Sequence, residues 1–180
     1  MAEFKEGVGT AIDYATALGC PQVNCLAGKL PVGAALQDAH PTLVANLRLA
    51  ARELEAAGLR LVIEPINSFD IPGFYLTRSD QALSLIDEVG SPNLLLQYDI
   101  YHAQRMEGEL GATLTKNITR IGHIQLADNP GRGEPGTGEI NYPWLFRHID
   151  SLGYAGWIGC EYKPRGTTTE GLGWRLALTN

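Results

Sequence analysis

Five short runs in the chain are almost wholly apolar, and they recur at a regular interval. They are Gln22 to Leu26, Leu59 to Ile66, Leu94 to Ile100, Gly122 to Ala127 and Trp157 to Tyr162. Short runs rich in Val, Ile and Leu, with no polar alternation, predict strands covered on both faces. Between them the apolar positions step at helical spacing. Leu43, Leu47, Ala50, Leu54 and Ala57 fall on one stripe. Leu83, Ile86 and Val89 do the same after Thr77-Arg78-Ser79-Asp80, which reads as a capped start. Leu110 and Leu114 continue towards Ile118 and Ile121, and Leu145, Ile149 and Leu152 follow Asn141-Tyr142-Pro143, a cap with proline in the first turn. The chain opens in a helical stretch marked by Phe4, Val8, Ala11, Ile12, Ala15 and Leu18. Gly19, Gly58, Gly90 and Gly153 each stand between a helical stretch and a strand, where a helix C-cap asks for positive φ.

Strands alternating with helices imply crossover connections and a parallel α/β sheet. A closed eight-stranded barrel needs about 250 residues, and this chain has 180. The pattern therefore fits either an open parallel sheet or the later part of a barrel, in one domain over 1–180. With 44% hydrophobic and 19% charged residues the chain is globular, not disordered. A net charge of -6 without any Lys/Arg cluster argues against a nucleic-acid partner. No apolar run approaches the roughly 18 residues of a membrane span, and the first six residues lack the pattern of a signal peptide. Cys20, Cys25 and Cys160 are too few for a disulfide framework, so a reduced, cytoplasmic protein is expected.

The candidate chemistry lies where the strands end. Glu64 follows Leu61-Val62-Ile63, Asp99 follows Leu94 to Tyr98, Gln125 sits in His123-Ile124-Gln125-Leu126, and Glu161 follows Trp157 to Cys160. Each step between them is about one βα unit, so in a parallel sheet all four converge on one rim, where barrel enzymes keep their active sites. Three converging carboxylates repel unless something positive joins them. A divalent cation does so, and an all-oxygen set favours Mg²⁺ or Mn²⁺ over Zn²⁺. His102, in a βα loop, could hydrogen-bond a substrate oxygen. Arg132, in the glycine-rich loop from Asp128 to Glu139, could anchor an anion. His123 reads as structural, Cys160 as a small buried residue, and Glu134 and Glu139 as solvated.

Five stretches carry a resemblance. They are Leu61-Val-Ile-Glu-Pro-Ile-Asn67, Gln97-Tyr-Asp-Ile-Tyr-His102, Gly122-His-Ile-Gln-Leu-Ala-Asp128, the segment Pro130 to Tyr142, and Gly159-Cys-Glu-Tyr-Lys-Pro164. In order and spacing they resemble the hydroxypyruvate isomerase family, within the xylose-isomerase-like TIM barrels. The resemblance implies a (β/α)8 barrel, here an N-terminally truncated version with about five parallel strands. It implies one Mg or Mn ion held at Glu64, Asp99, Gln125 and Glu161, with Glu64 and Glu161 as catalytic acid and base and His102 and Arg132 near substrate oxygens. The implied reaction interconverts hydroxypyruvate and tartronate semialdehyde through a cis-enediolate, the cation serving as Lewis acid. A related group isomerises 2-oxo-tetronates, with overlapping signatures. The implied partner is thus a small hydroxy-oxo acid, with neither nucleic acid nor membrane. A barrel without its opening strands exposes two sheet edges, so a missing N-terminal segment, a homo-oligomer or a non-catalytic fragment is also expected. A metal-dependent nuclease of the same barrel group would need several zinc-binding histidines and a basic groove, which this sequence does not offer.

Overall fold

The structure is a computed structural model that describes residues 2–178. Its five strands form a sheet ordered as they occur in the chain, β1 to β5. The chain divides into two compact units, one ending at Gln97 and the other beginning at Tyr98.

In the first unit, α1 (Ala2–Leu18) leads to β1 (Gln22–Asn24), α2 (Leu36–Ala56), β2 (Arg60–Ile63), α3 (Ser79–Val89) and β3 (Leu94–Asp99), whose last two residues enter the second unit. The pairings are parallel, with Asn24 beside Val62 and Ile63 beside Leu96. Leu61, Val62 and Ile63 are all buried, as a run with no polar alternation requires. The expected α2 stripe is present but turned by one position. Val44, Leu47, Ala50, Ala51 and Leu54 are buried, while Ala57 is the exposed C-cap. The start of α3 differs from the expected cap: its N-cap is Arg78, with no side-chain capping bond, and Gln81 Oε1 instead accepts the Thr77 amide at 3.0 Å. Gly19, Gly58 and Gly90 all take the positive φ expected of them.

The second unit continues through α4 (Ile100–Met106), α5 (Leu110–Asn117), β4 (Ile121–Leu126), α6 (Tyr142–Ser151), β5 (Ile158–Cys160) and α7 (Trp174–Leu178). β4 and β5 are parallel, with Gln125 beside Gly159 and Leu126 beside Cys160. Asn141 caps α6 through a bond from the Trp144 amide, with Pro143 in the first turn, as its sequence requires. Two expectations fail here. His102 lies in a helix, not a loop, because Asp99 ends β3 and caps α4 at once. Cys160 is exposed rather than buried, since it borders an open apolar groove of about 530 Å³ between β5, α6 and α7.

Candidate active site

Glu64 is the first residue past β2 and is buried. Register explains its neighbours. Asn24 lies opposite Val62, two residues before Glu64, so both side chains leave the same face of the sheet. Ile63 lies opposite Leu96, which sets Gln97 beside Glu64. Asn24 Nδ2 and Gln97 Nε2 each donate to Glu64 Oε2 at 2.7 Å. These amides were not anticipated from the sequence. The available signal was a polar residue inside an otherwise apolar strand run.

Asp99 is 2% exposed and works in two directions. Its Oδ1 accepts the main-chain amides of Tyr101 and His102 at 2.8 and 3.1 Å, which starts α4. Its Oδ2 is buried and accepts no hydrogen bond among the described residues; His102 Nε2 lies 3.8 Å from it. Burial pushes the Asp99 carboxyl up to about 6, against the opposing pull of the His102 amide and the Arg132 charge. An orphaned, buried carboxylate oxygen fits a bound cation.

Gln125 and Glu161 share one face of the β4–β5 pair, because Gln125 is aligned with Gly159 and Glu161 follows two residues later. Glu161 is bound through its amide to the Leu126 carbonyl at 3.0 Å. Its side chain is half exposed and meets Arg132 Nη2 at 3.1 Å. Arg132 also donates from Nε to the Glu161 carbonyl at 3.2 Å. Two residues below Gln125, His123 has a buried Nδ1 with no partner among the described residues, and burial lowers its pKa. A Cβ on Gly159 would stand 2.9 Å from His123 Nε2, so the glycine makes room for the ring.

The glycine-rich loop has an internal organiser that the sequence reading passed over. Asp128 is fully buried and accepts four main-chain amides, those of Asn129, Gly136, Gly138 and Ile140, at 2.8 to 3.1 Å. Glu134, expected in solvent, is buried as well, and its Oε1 accepts the Arg165 amide at 2.7 Å. Glu139 remains exposed. The signal for Asp128 was its place as the first residue of a loop rich in glycine amides.

Parallel βα units with acids at strand ends define the barrel class. The chain belongs to the xylose isomerase-like TIM barrel family, whose pattern matches residues 2–178. It is 60% identical to the hydroxypyruvate isomerase of Escherichia coli, over 96% of this chain and 67% of that protein. It is 45% identical to the 2-oxo-tetronate isomerase of Cupriavidus necator, over 96% of this chain and 66% of the relative. Among solved structures it resembles one described as an AP endonuclease, family 2, from Brucella melitensis. The TM-score there is 0.94 at 39% identity, covering 98% of this chain and 68% of the other. The chain therefore spans about two thirds of the length of the relatives it matches.

Proposed function

We propose that this chain carries the reaction site of an isomerase that interconverts hydroxypyruvate and tartronate semialdehyde. The observation that carries the reading is the buried, unsatisfied Oδ2 of Asp99, with His102 Nε2 at 3.8 Å. A carboxylate oxygen so placed is costly unless a cation binds there. Glu64, Asp99, Gln125 and Glu161 would hold a divalent ion, Mg²⁺ or Mn²⁺. When bound, such an ion supplies Lewis acidity to a substrate carbonyl.

The chain's own residues account for the proton movements. Hydroxypyruvate must lose a proton from its hydroxymethyl carbon, C3, and gain one at C2, while the C3 hydroxyl proton passes to the C2 oxygen. One glutamate takes the C3 proton as general base and the other returns a proton to C2 as general acid. Glu64 suits a fixed role, since two amides orient one of its oxygens. Glu161 suits the more mobile role, being half exposed and paired with Arg132. Arg132 is suited to the substrate carboxylate, because a guanidinium matches it in two parallel hydrogen bonds.

The 45% identical relative named for 2-oxo-tetronates favours a second substrate of the same type. Incubation with hydroxypyruvate and Mn²⁺ in D₂O tests both. Deuterium is expected at C3 of recovered hydroxypyruvate and at C2 of the tartronate semialdehyde that forms; the competing reading predicts faster exchange with a 2-oxo-tetronate. A chain that binds Mn²⁺ yet exchanges no carbon-bound proton in either acid would overturn the proposal.

A further inference from the structure

We infer that Tyr101 is the positioning residue of Arg132, holding its guanidinium against the ring so that it meets a carboxylate-bearing substrate already oriented. The carboxylate as ligand rests on the function proposed above; the positioning rests on geometry alone.

Arg132 is held at both ends. Its backbone takes φ 57°, a left-handed conformation uncommon for a side-chain-bearing residue. Its carbonyl accepts the Lys163 amide at 2.7 Å. Its guanidinium carbon lies 5.4 Å from the centre of the Tyr101 ring, within cation–π range. Nε and Nη2 are directed at the Glu161 carbonyl and carboxylate.

The ring that carries the cation is itself immobile. Tyr101 is 2% exposed and lies in the first turn of α4. It packs against His102 with ring centres 5.3 Å apart. One turn later, Arg105 donates from Nη1 to the Tyr101 hydroxyl at 2.8 Å. A free arginine side chain gives up rotamer entropy when it is fixed on binding. Tyr101 removes part of that cost before the ligand arrives. Neither Tyr101 nor Arg105 needs to touch substrate for this.

The test uses Tyr101→Leu, which removes the ring, and Tyr101→Phe, which keeps the ring and removes the hydroxyl. Hydroxypyruvate affinity, measured by calorimetry with Mn²⁺, is expected to fall about 5- to 30-fold in the leucine variant and to stay within about threefold in the phenylalanine variant. Dihydroxyacetone has the same skeleton with a hydroxymethyl group in place of the carboxylate, and its affinity should not change. Equal losses for both ligands would show a merely structural role and overturn the inference.

The second readout needs no ligand. In nitrogen–proton spectra of the wild-type chain, the Arg132 Nε–H signal, assigned through Arg132→Lys, is expected to carry an upfield ring-current shift. The shift should persist in Tyr101→Phe and vanish in Tyr101→Leu. Absence of that shift in wild type would overturn the inference even if the leucine variant does not fold. Should wild type fail to bind hydroxypyruvate while the shift is present, the proposed substrate fails and the positioning stands.

Discussion

Asp128 and Gly138 are made for each other. The Gly138 amide donates to Asp128 Oδ2 at 2.9 Å, and a Cβ on Gly138 would stand 2.6 Å from Asp128 Oδ1 and collide with the Asn129 carbonyl. A buried carboxylate gathers the loop's amides, and the absence of a side chain lets the main chain come close enough to be gathered.

From this pair comes the first prediction. Asp128→Ala leaves four amides without their acceptor, and Gly138→Ala forces the loop outward. Each is expected to cost about 2–4 kcal/mol in urea unfolding. Both should also weaken the Arg132–Glu161 pairing, because Arg132 is carried by this loop. Wild-type unfolding midpoints in both variants would remove the organising role of Asp128.

The Asp99 carboxyl gives a pH signature. Burial raises it from its ordinary 3.8 to about 6, so between those values the folded chain binds more protons than the unfolded one. Stability of the metal-free protein therefore falls as pH rises from about 4 to about 6, by roughly 3 kcal/mol from this group, and stays lower above that range. Asp99→Asn keeps an oxygen for the α4 cap and removes the titration. Urea midpoints from pH 4 to pH 7 should show this loss in wild type and a flatter curve in the variant. Parallel curves would refute the assignment.

Most of the scaffold could be read from the chain because burial on both faces writes itself as unbroken apolar runs. All five runs became strands, four of them shorter than the run and β4 shifted one residue toward the N-terminus. The glycines at helix ends were equally readable, since positive φ is a local demand. What escaped was non-local. Nothing near Asn24 or Gln97 in sequence reveals that register sets their amides on Glu64. Asp99 was read as a site acid, and the helix that it also caps, α4, is too short and too little periodic to be seen in the sequence. Glu134 and Cys160 were misplaced for the same reason: their burial depends on which distant segment covers them. Four expected positions, Glu64, Asp99, Gln125 and Glu161, do stand at or beside strand ends, and the exposed state of Glu161 was not foreseen.

Metal linkage should be measurable apart from turnover. With free Mn²⁺ at about 100 times its dissociation constant, wild type is expected to gain about 2.7 kcal/mol against unfolding. Asp99→Asn keeps the oxygen that caps α4 and replaces the oxygen without a partner among the described residues by an amide nitrogen, so the gain should disappear while the metal-free fold persists. Calorimetric melting with and without Mn²⁺ decides the matter. An unchanged gain in the variant would exclude Asp99 as a ligand.

Glu161 separates chemistry from folding most cleanly. Its main chain is held by the amide bond to Leu126 and by the Arg132 side chain, which donates to its carbonyl, and neither depends on the carboxylate. The ion pair that does is the one with Arg132, half exposed and worth at most about 1 kcal/mol. Glu161→Gln keeps the shape and the hydrogen-bonding oxygen, so urea unfolding should shift by less than about 1 kcal/mol. An amide neither takes nor gives the carbon-bound proton, so turnover of hydroxypyruvate should fall by about 10²- to 10⁴-fold. Deuterium exchange at C3 assigns the role more finely. If Glu161 is the base, exchange is lost with turnover. If it is the acid that serves C2, exchange at C3 continues while tartronate semialdehyde no longer forms. Turnover within about threefold of wild type would remove Glu161 from the proton transfers altogether.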